Sequence, residues 1–188
     1  MIPKDKMQQL EMHIRGILEC LGENPDRDGL KDTPRRVARL YDDVLDGRYA
    51  EPPIMTSFKD ENYGGVVNVH HFPFYSFCEH HLVPFQGHAA VAYIPNELTV
   101  GLSKLVRAFR YHCKRVTIQE RLTHDALNTI VAATQPKGAI VWAQAEHLCM
   151  SLRGVKAPGA KTTTTAYYGV FEEDIQLREQ FLREVCQS

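Results

Sequence analysis

Ser76-Phe77-Cys78-Glu79-His80-His81-Leu82-Val83-Pro84-Phe85 gathers a thiol and two imidazoles into one short turn, and His147-Leu148-Cys149 adds another of each, 66 residues after His81. Two soft sulfur donors and three imidazoles are the set that a borderline-soft divalent metal such as zinc prefers. The two residues between Cys78 and His81 let a tight turn present both side chains to a single ion, which sends His80 elsewhere. Outward from the turn, Val66 to Phe72 and Gly87 to Ile94 carry β-branched, aromatic and small residues bounded by Pro73 and Pro95, so the turn sits between two strands. Residues 138–152 read as a buried strand, in which i and i+2 share a face and His147 and Cys149 look the same way.

Spacing leaves two ligand sets open. If Cys78, His81, His147 and Cys149 all bind, the tetrahedron is closed and the metal only holds the fold, contributing on the order of 10 kcal/mol to folding. If only Cys78, His81 and Cys149 bind, a fourth position stays open for water, whose pKa a zinc centre lowers to about 7, and His80 and His147 are free to move protons. A chain of 188 residues can bury a core without a metal, which tilts the balance toward catalysis.

Leu10, Ile14, Ile17, Leu18 and Leu21 follow helical periodicity up to Gly22, and Thr33 is expected to cap a second helix with Pro34 at its first position. Ser103 is expected to cap a helix to about Lys114, followed by another from about Ile118 to Ala133. A strand at about 162–171 pairs with 138–152, and a final helix carries Ile175, Leu177, Phe181, Leu182 and Val185. Thr162 to Thr165 reads as an ordinary half-exposed strand. No linker or repeat divides the chain, so 1–188 reads as one domain, with N-terminal helices over 1–50, a core over 51–172 and a C-terminal helix over 173–188.

With 22 basic and 23 acidic residues and a net charge of -1, the chain lacks the positive excess that favours nucleic acid or an anionic membrane. No stretch approaches the roughly 20 apolar residues of a membrane span, and Met1 to Lys6 leads into an amphipathic pattern instead of an apolar signal core. Five cysteines, an odd number, suit a reducing cytoplasm better than a disulfide framework. Cys20, Cys113 and Cys186 read as small buried hydrophobes without chemistry.

The stretch from Ser76 to Phe85 resembles the signature of GTP cyclohydrolase I. Four further segments agree in order: Gly29 to Ala38, Gly101 to Leu105, Gln119 to Leu122 and Cys149 to Val155. The resemblance covers about residues 10–172. It implies an α+β tunnelling fold, with an antiparallel four-stranded sheet, helices on one face and an N-terminal helical segment. Subunits of that fold assemble into a barrel, typically as a homodecamer with active sites at subunit interfaces; an isolated four-stranded sheet leaves edges exposed, a physical reason to oligomerise.

The activity so implied is hydrolytic opening of the guanine ring of GTP, with formate release and rearrangement to 7,8-dihydroneopterin triphosphate, the first step of pterin and tetrahydrofolate synthesis. The resemblance selects the open site: Cys78, His81 and Cys149 match the family's zinc ligands, and His80 and His147 its acid/base residues. Glu120, with Gln119 beside it, matches the reader of the guanine N1–H and 2-amino group, while Ser103, Lys104, Arg107 and Arg153 match phosphate contacts. No Gly-x4-Gly-Lys-Ser/Thr loop is present, which argues against γ-phosphate hydrolysis.

The chain departs from the usual pattern at His70-His71, Val116 and Tyr167-Tyr168, none of them at the metal or the guanine reader. Two other readings stand beside the enzyme: a related tunnelling-fold paralogue acting on another purine or pterin, and a zinc-stabilised binding protein without turnover.

Overall fold

The computed structural model describes residues 1–59 and 64–186, and the chain divides into two compact units, Met1–Glu51 and Pro52–Ser188. In the first unit, helix α1 (Lys4–Cys20) packs on α2 (Thr33–Leu45), which runs into a 3-10 turn (Asp46–Arg48). Asp32, not Thr33, occupies the cap position of α2, and Pro34 lies in its first turn, where a missing N–H costs nothing. The connection between the helices is tied back by Arg15, whose guanidinium donates to both carboxylate oxygens of Asp26 at 2.9 and 2.8 Å.

The second unit is built on a sheet of β2 (Val67–Cys78), β3 (Pro84–Ile94), β6 (Gly138–His147) and β7 (Lys161–Gly169), extended by the two-residue β5 (Val116–Thr117). Spatial order is β5-β2-β3-β6-β7, with the four long strands antiparallel, as expected, and β5 parallel to β2. A separate pair joins β1 (Ser57–Lys59) to β4 (Leu98–Val100). Helices α3 (Leu102–Cys113) and α4 (Gln119–Thr134) cross between strands, the short α5 (Leu148–Ser151) follows β6, and α6 (Val170–Glu173) and α7 (Ile175–Cys186) end the chain.

Strand β2 passes straight through Pro73, which the sequence marks as its boundary. Pro73 pairs with His88 of β3, yet its carbonyl accepts from Arg110 Nη2 at 3.2 Å on the other side, so its missing N–H faces the outer edge and no ladder bond to β3 is lost. Between Val69 and Phe72 the register slips by one residue, with His71 in the left-handed region at φ 57°.

Period-two alternation then sorts the side chains. Phe72, Phe74, Phe85, Ala89, Val91, Tyr93, Val141 and Ala143 point to one face and bury against Leu105 and Phe109 of α3 and Leu122, Leu127 and Ile130 of α4. Ala90, Ala92, Ile140 and Trp142 point the other way and meet Phe171, Phe181 and Val185, so the C-terminal helix covers part of the second face as well. At Gly87 the strands approach so closely that a Cβ would lie 1.8 Å from the Gln144 carbonyl oxygen.

Three local expectations are corrected. Strand β6 ends at His147 instead of continuing to 152, because the chain turns there into α5. Gly101, not Ser103, holds the cap position of α3. Cys113 is buried, and burial pushes its thiol well up from the usual range, but Cys20 and Cys186 are exposed. Among the described residues no helix is long and apolar enough to cross a membrane.

Candidate functional site

Strand β2 delivers Cys78 to the floor of the site. The Cys78 N–H donates to the Val83 carbonyl and the Leu82 N–H to the Cys78 carbonyl, both at 2.9 Å, and Leu82 closes the turn with φ 54°. These bonds fix the loop that carries Glu79, His80 and His81. The Glu79 N–H donates to the Thr117 carbonyl at 3.0 Å, which attaches the loop to β5 just ahead of α4. The β3–β6 pairing sets Phe85 opposite His147, and α5 then brings Cys149 round. Cys149 reaches the site on a helical turn, not along a strand face shared with His147.

One donor atom from each of Cys78, His81 and Cys149 lies within 4.8 Å of the others, the one such group among the described residues. Cys78 Sγ is 3.8 Å from His81 Nδ1. Donors about 2.0 to 2.3 Å from a tetrahedral metal ion stand about 3.3 to 3.8 Å apart, the spacing of the Cys78–His81 pair, and the three donors together could hold one ion. Burial, then the adjacent Cys78, pushes the Cys149 thiol up from its ordinary value. Cys78 is buried, Cys149 half-buried and His81 exposed, so the group opens to solvent on one side.

Neither remaining histidine belongs to the group. His80 does not turn fully away as its spacing suggested; its Nδ1 stays 3.9 Å from Cys78 Sγ while its ring is exposed. His147 stacks flat on Phe85, with ring centroids 4.5 Å apart and planes 4° from parallel. Its Nε2 lies 2.8 Å from Gln119 Oε1. Burial lowers the His147 pKa, opposed by the nearby Glu120 carboxylate.

The start of α4 borders the same place. Glu120 is exposed on an open cleft of about 410 Å³ shared with Thr123, His124 and Tyr167. Gln119, expected beside it as a base reader, is only 1% exposed and turns into the protein. Arg121 forms a two-pronged ion pair with Glu79, holding the Glu79 carboxyl below its ordinary range and linking α4 to the chelating turn.

The phosphate candidates divide. Arg153 Nη1 lies 2.9 Å from His81 Nε2, at the site. Ser103, Lys104 and Arg107 occupy the first turns of α3, whereas the other end of that helix, Cys113, meets Ser76 next to the chelating turn. Ten residues at about 1.5 Å each leave Ser103 about 15 Å along the helix from that end.

Two residues to which the sequence assigns no role also shape the site. Phe85 is the platform for His147. Glu146 Oε1 accepts from Ser151 Oγ at 2.7 Å and from the Gly159 N–H at 3.1 Å, spanning the segment that carries Cys149 and Arg153. The Ser151 bond, then the Gly159 amide, lowers its pKa. Alternation alone marks Glu146 as facing away from His147 and says nothing of these contacts.

Residues 10–186 match the family GTP cyclohydrolase I. The chain is 49% identical over 177 residues to GTP cyclohydrolase 1 of Streptococcus agalactiae serotype III (strain NEM316), covering 93% of this chain and 95% of that one. It is also 49% identical over 184 residues to GTP cyclohydrolase 1 of Geobacillus kaustophilus (strain HTA426), covering 96% and 97%. The corresponding protein of Clostridioides difficile (strain 630) is 48% identical over 183 residues, covering 95% and 94%. An archaeosine synthase QueF-Like crystal structure in the apo form superposes with a TM-score of 0.44 at 18% identity, over 55% of this chain and 93% of that one. With the match running almost from end to end through the Cys-His-Cys turn, this chain belongs to the GTP cyclohydrolase I family.

Proposed function

We propose that this protein opens the guanine ring of GTP by hydrolysis, releases formate and rearranges the remainder to 7,8-dihydroneopterin triphosphate. The observation that carries the reading is a Cys-His-Cys group able to hold a metal ion with the His147 imidazole held beside it by other residues, which supports a proton-carrying role for His147 in place of ligation. Cys78, His81 and Cys149 would hold a zinc ion, which when bound supplies Lewis acidity and a water acidic enough to attack near neutral pH.

Opening the five-membered ring breaks the C8–N9 and C8–N7 bonds, and each departing nitrogen must take up a proton. His147, ordered by Phe85 and Gln119, and the exposed His80 are the groups assigned to this transfer, since an imidazole gives or takes a proton near working pH. The same two serve the later ring opening of the ribose, the Amadori-type rearrangement and the closure of the pyrazine ring. Glu120 offers two carboxylate oxygens to the guanine N1–H and 2-amino group.

Arg153 serves the triphosphate from within the chain. Ser103, Lys104 and Arg107, on the first turns of α3, are assigned to the same triphosphate, and by family likeness the protein works as a homodecamer in which neighbouring copies complete each site. An odd number of cysteines supports the cytoplasm as its location.

Purified protein supplied with zinc and GTP is expected to yield formate and, after oxidation, a fluorescent pterin. No product from zinc-replete protein at any oligomeric state would overturn the reading.

A further inference from the structure

We propose that Gln119 is a positioning residue, not a contact to the base: it fixes the proton of His147 on Nε2 and leaves Nδ1 as the basic nitrogen of the ring. The inference rests on the proposed proton-transfer role of His147.

A side-chain amide has one donating and one accepting end, told apart by their partners. Gln119 Nε2 lies 3.0 Å from the Ala143 carbonyl oxygen and 3.1 Å from that of Thr162. Both partners only accept, so the nitrogen end must face them. Turning the amide over would press its oxygen against two carbonyl oxygens at a position 1% exposed, where no water relieves the repulsion. Thr164 Oγ1, 3.1 Å away, is a third acceptor for the same two hydrogens.

The other end follows by elimination. Gln119 Oε1 can only accept, and His147 Nε2 lies 2.8 Å from it. That nitrogen must therefore donate, and in the neutral ring Nδ1 is then unprotonated. The flat stack on Phe85 holds the ring plane in which the bond forms. Ala143 lies on β6 and Thr162 and Thr164 on β7, so the tautomer is set by the register of two paired strands. The Thr123 hydroxyl, donating to the Gln119 carbonyl at 2.8 Å and lying 3.1 Å from Thr164 Oγ1, ties the backbone of the same residue into the network.

The test is Gln119→Met, which keeps length and removes the acceptor. Steady-state turnover of GTP by the zinc-supplemented enzyme should show kcat falling by about tenfold or more with KM within about threefold, the pattern of an interaction acting on the chemical step alone. In the inactive His147→Ala background, adding Gln119→Met should leave the Kd for GTP unchanged. Solid-state 15N spectra of histidine-labelled wild-type enzyme, with His147 assigned by its loss in His147→Asn, should show the proton on Nε2. The Thr164→Ala variant, which removes one anchor, should move in the same direction by a smaller amount.

A rise in KM or Kd with kcat retained would make Gln119 a base contact and overturn the proposal. A proton on Nδ1 in wild-type enzyme would overturn it regardless of how any variant folds. Absence of turnover in wild-type enzyme would instead remove the proposed function while the tautomer measurement still stands.

Discussion

His112 gives the fold a specific weakness toward acid. It is buried on α3, its Nε2 2.7 Å from Thr129 Oγ1 and its Nδ1 4.0 Å from Asp125 Oδ2. Burial, then the neighbouring Arg115, lowers its pKa from 6.5 to about 4, and Asp125 only partly opposes them. A base with a depressed pKa is neutral in the fold, so its contribution is complete above about pH 6.5, the unfolded value, and is lost as pH falls toward about 4. At pH 5 the unfolded chain binds a proton here that the folded chain largely refuses, a difference of about 2 kcal/mol relative to pH 7.5. His112→Gln keeps a group able to meet Thr129 and cannot titrate. Urea unfolding at fixed protein and zinc concentration should show wild type losing about 2 kcal/mol more than this variant between pH 7.5 and pH 5, the other histidines and the carboxylates contributing equally to both. Parallel stability curves across that range would refute the buried-neutral assignment.

His147→Ala should keep about one metal ion per subunit while turnover is lost, checked by metal analysis alongside the GTP assay; loss of metal would make His147 a ligand. Cutting the Glu146 tie with Glu146→Ala should loosen the segment 148–160, read as faster limited proteolysis there and easier removal of metal by a chelator. Glu146→Gln, which retains an accepting oxygen, should recover most of the protection. Gly87→Ala should cost about 3 kcal/mol or more, read as a fall in the urea midpoint, because its methyl group meets the backbone of β6, which cannot swing aside as a side chain would.

Much of the site is legible in the sequence, because the Cys78 and His81 arrangement is a local matter. Two ligands three positions apart in a turn are constrained by backbone geometry alone. The helices were legible for the same reason, since their apolar repeats depend on near neighbours. Partners distant in sequence were not legible: Phe85 under His147 needs the β3–β6 register, and the burial of Gln119 needs β6 and β7 to close around it. Strand geometry implies a joint direction for His147 and Cys149, but the strand ends between them. Pro73 marks a boundary in the sequence because proline disfavours strands, and only the position of the unpaired edge reveals why it is tolerated there.

Cys78 and Cys149 are 71 positions apart, and with His81 they meet around one small volume. An ion bridging them would act as a removable clasp on a long stretch of chain, forbidding the unfolded ensemble conformations worth on the order of 4 kcal/mol of closure entropy. Heat tolerance would then rise with free zinc, so a cell's zinc supply would regulate how long each copy survives as well as how fast it turns over.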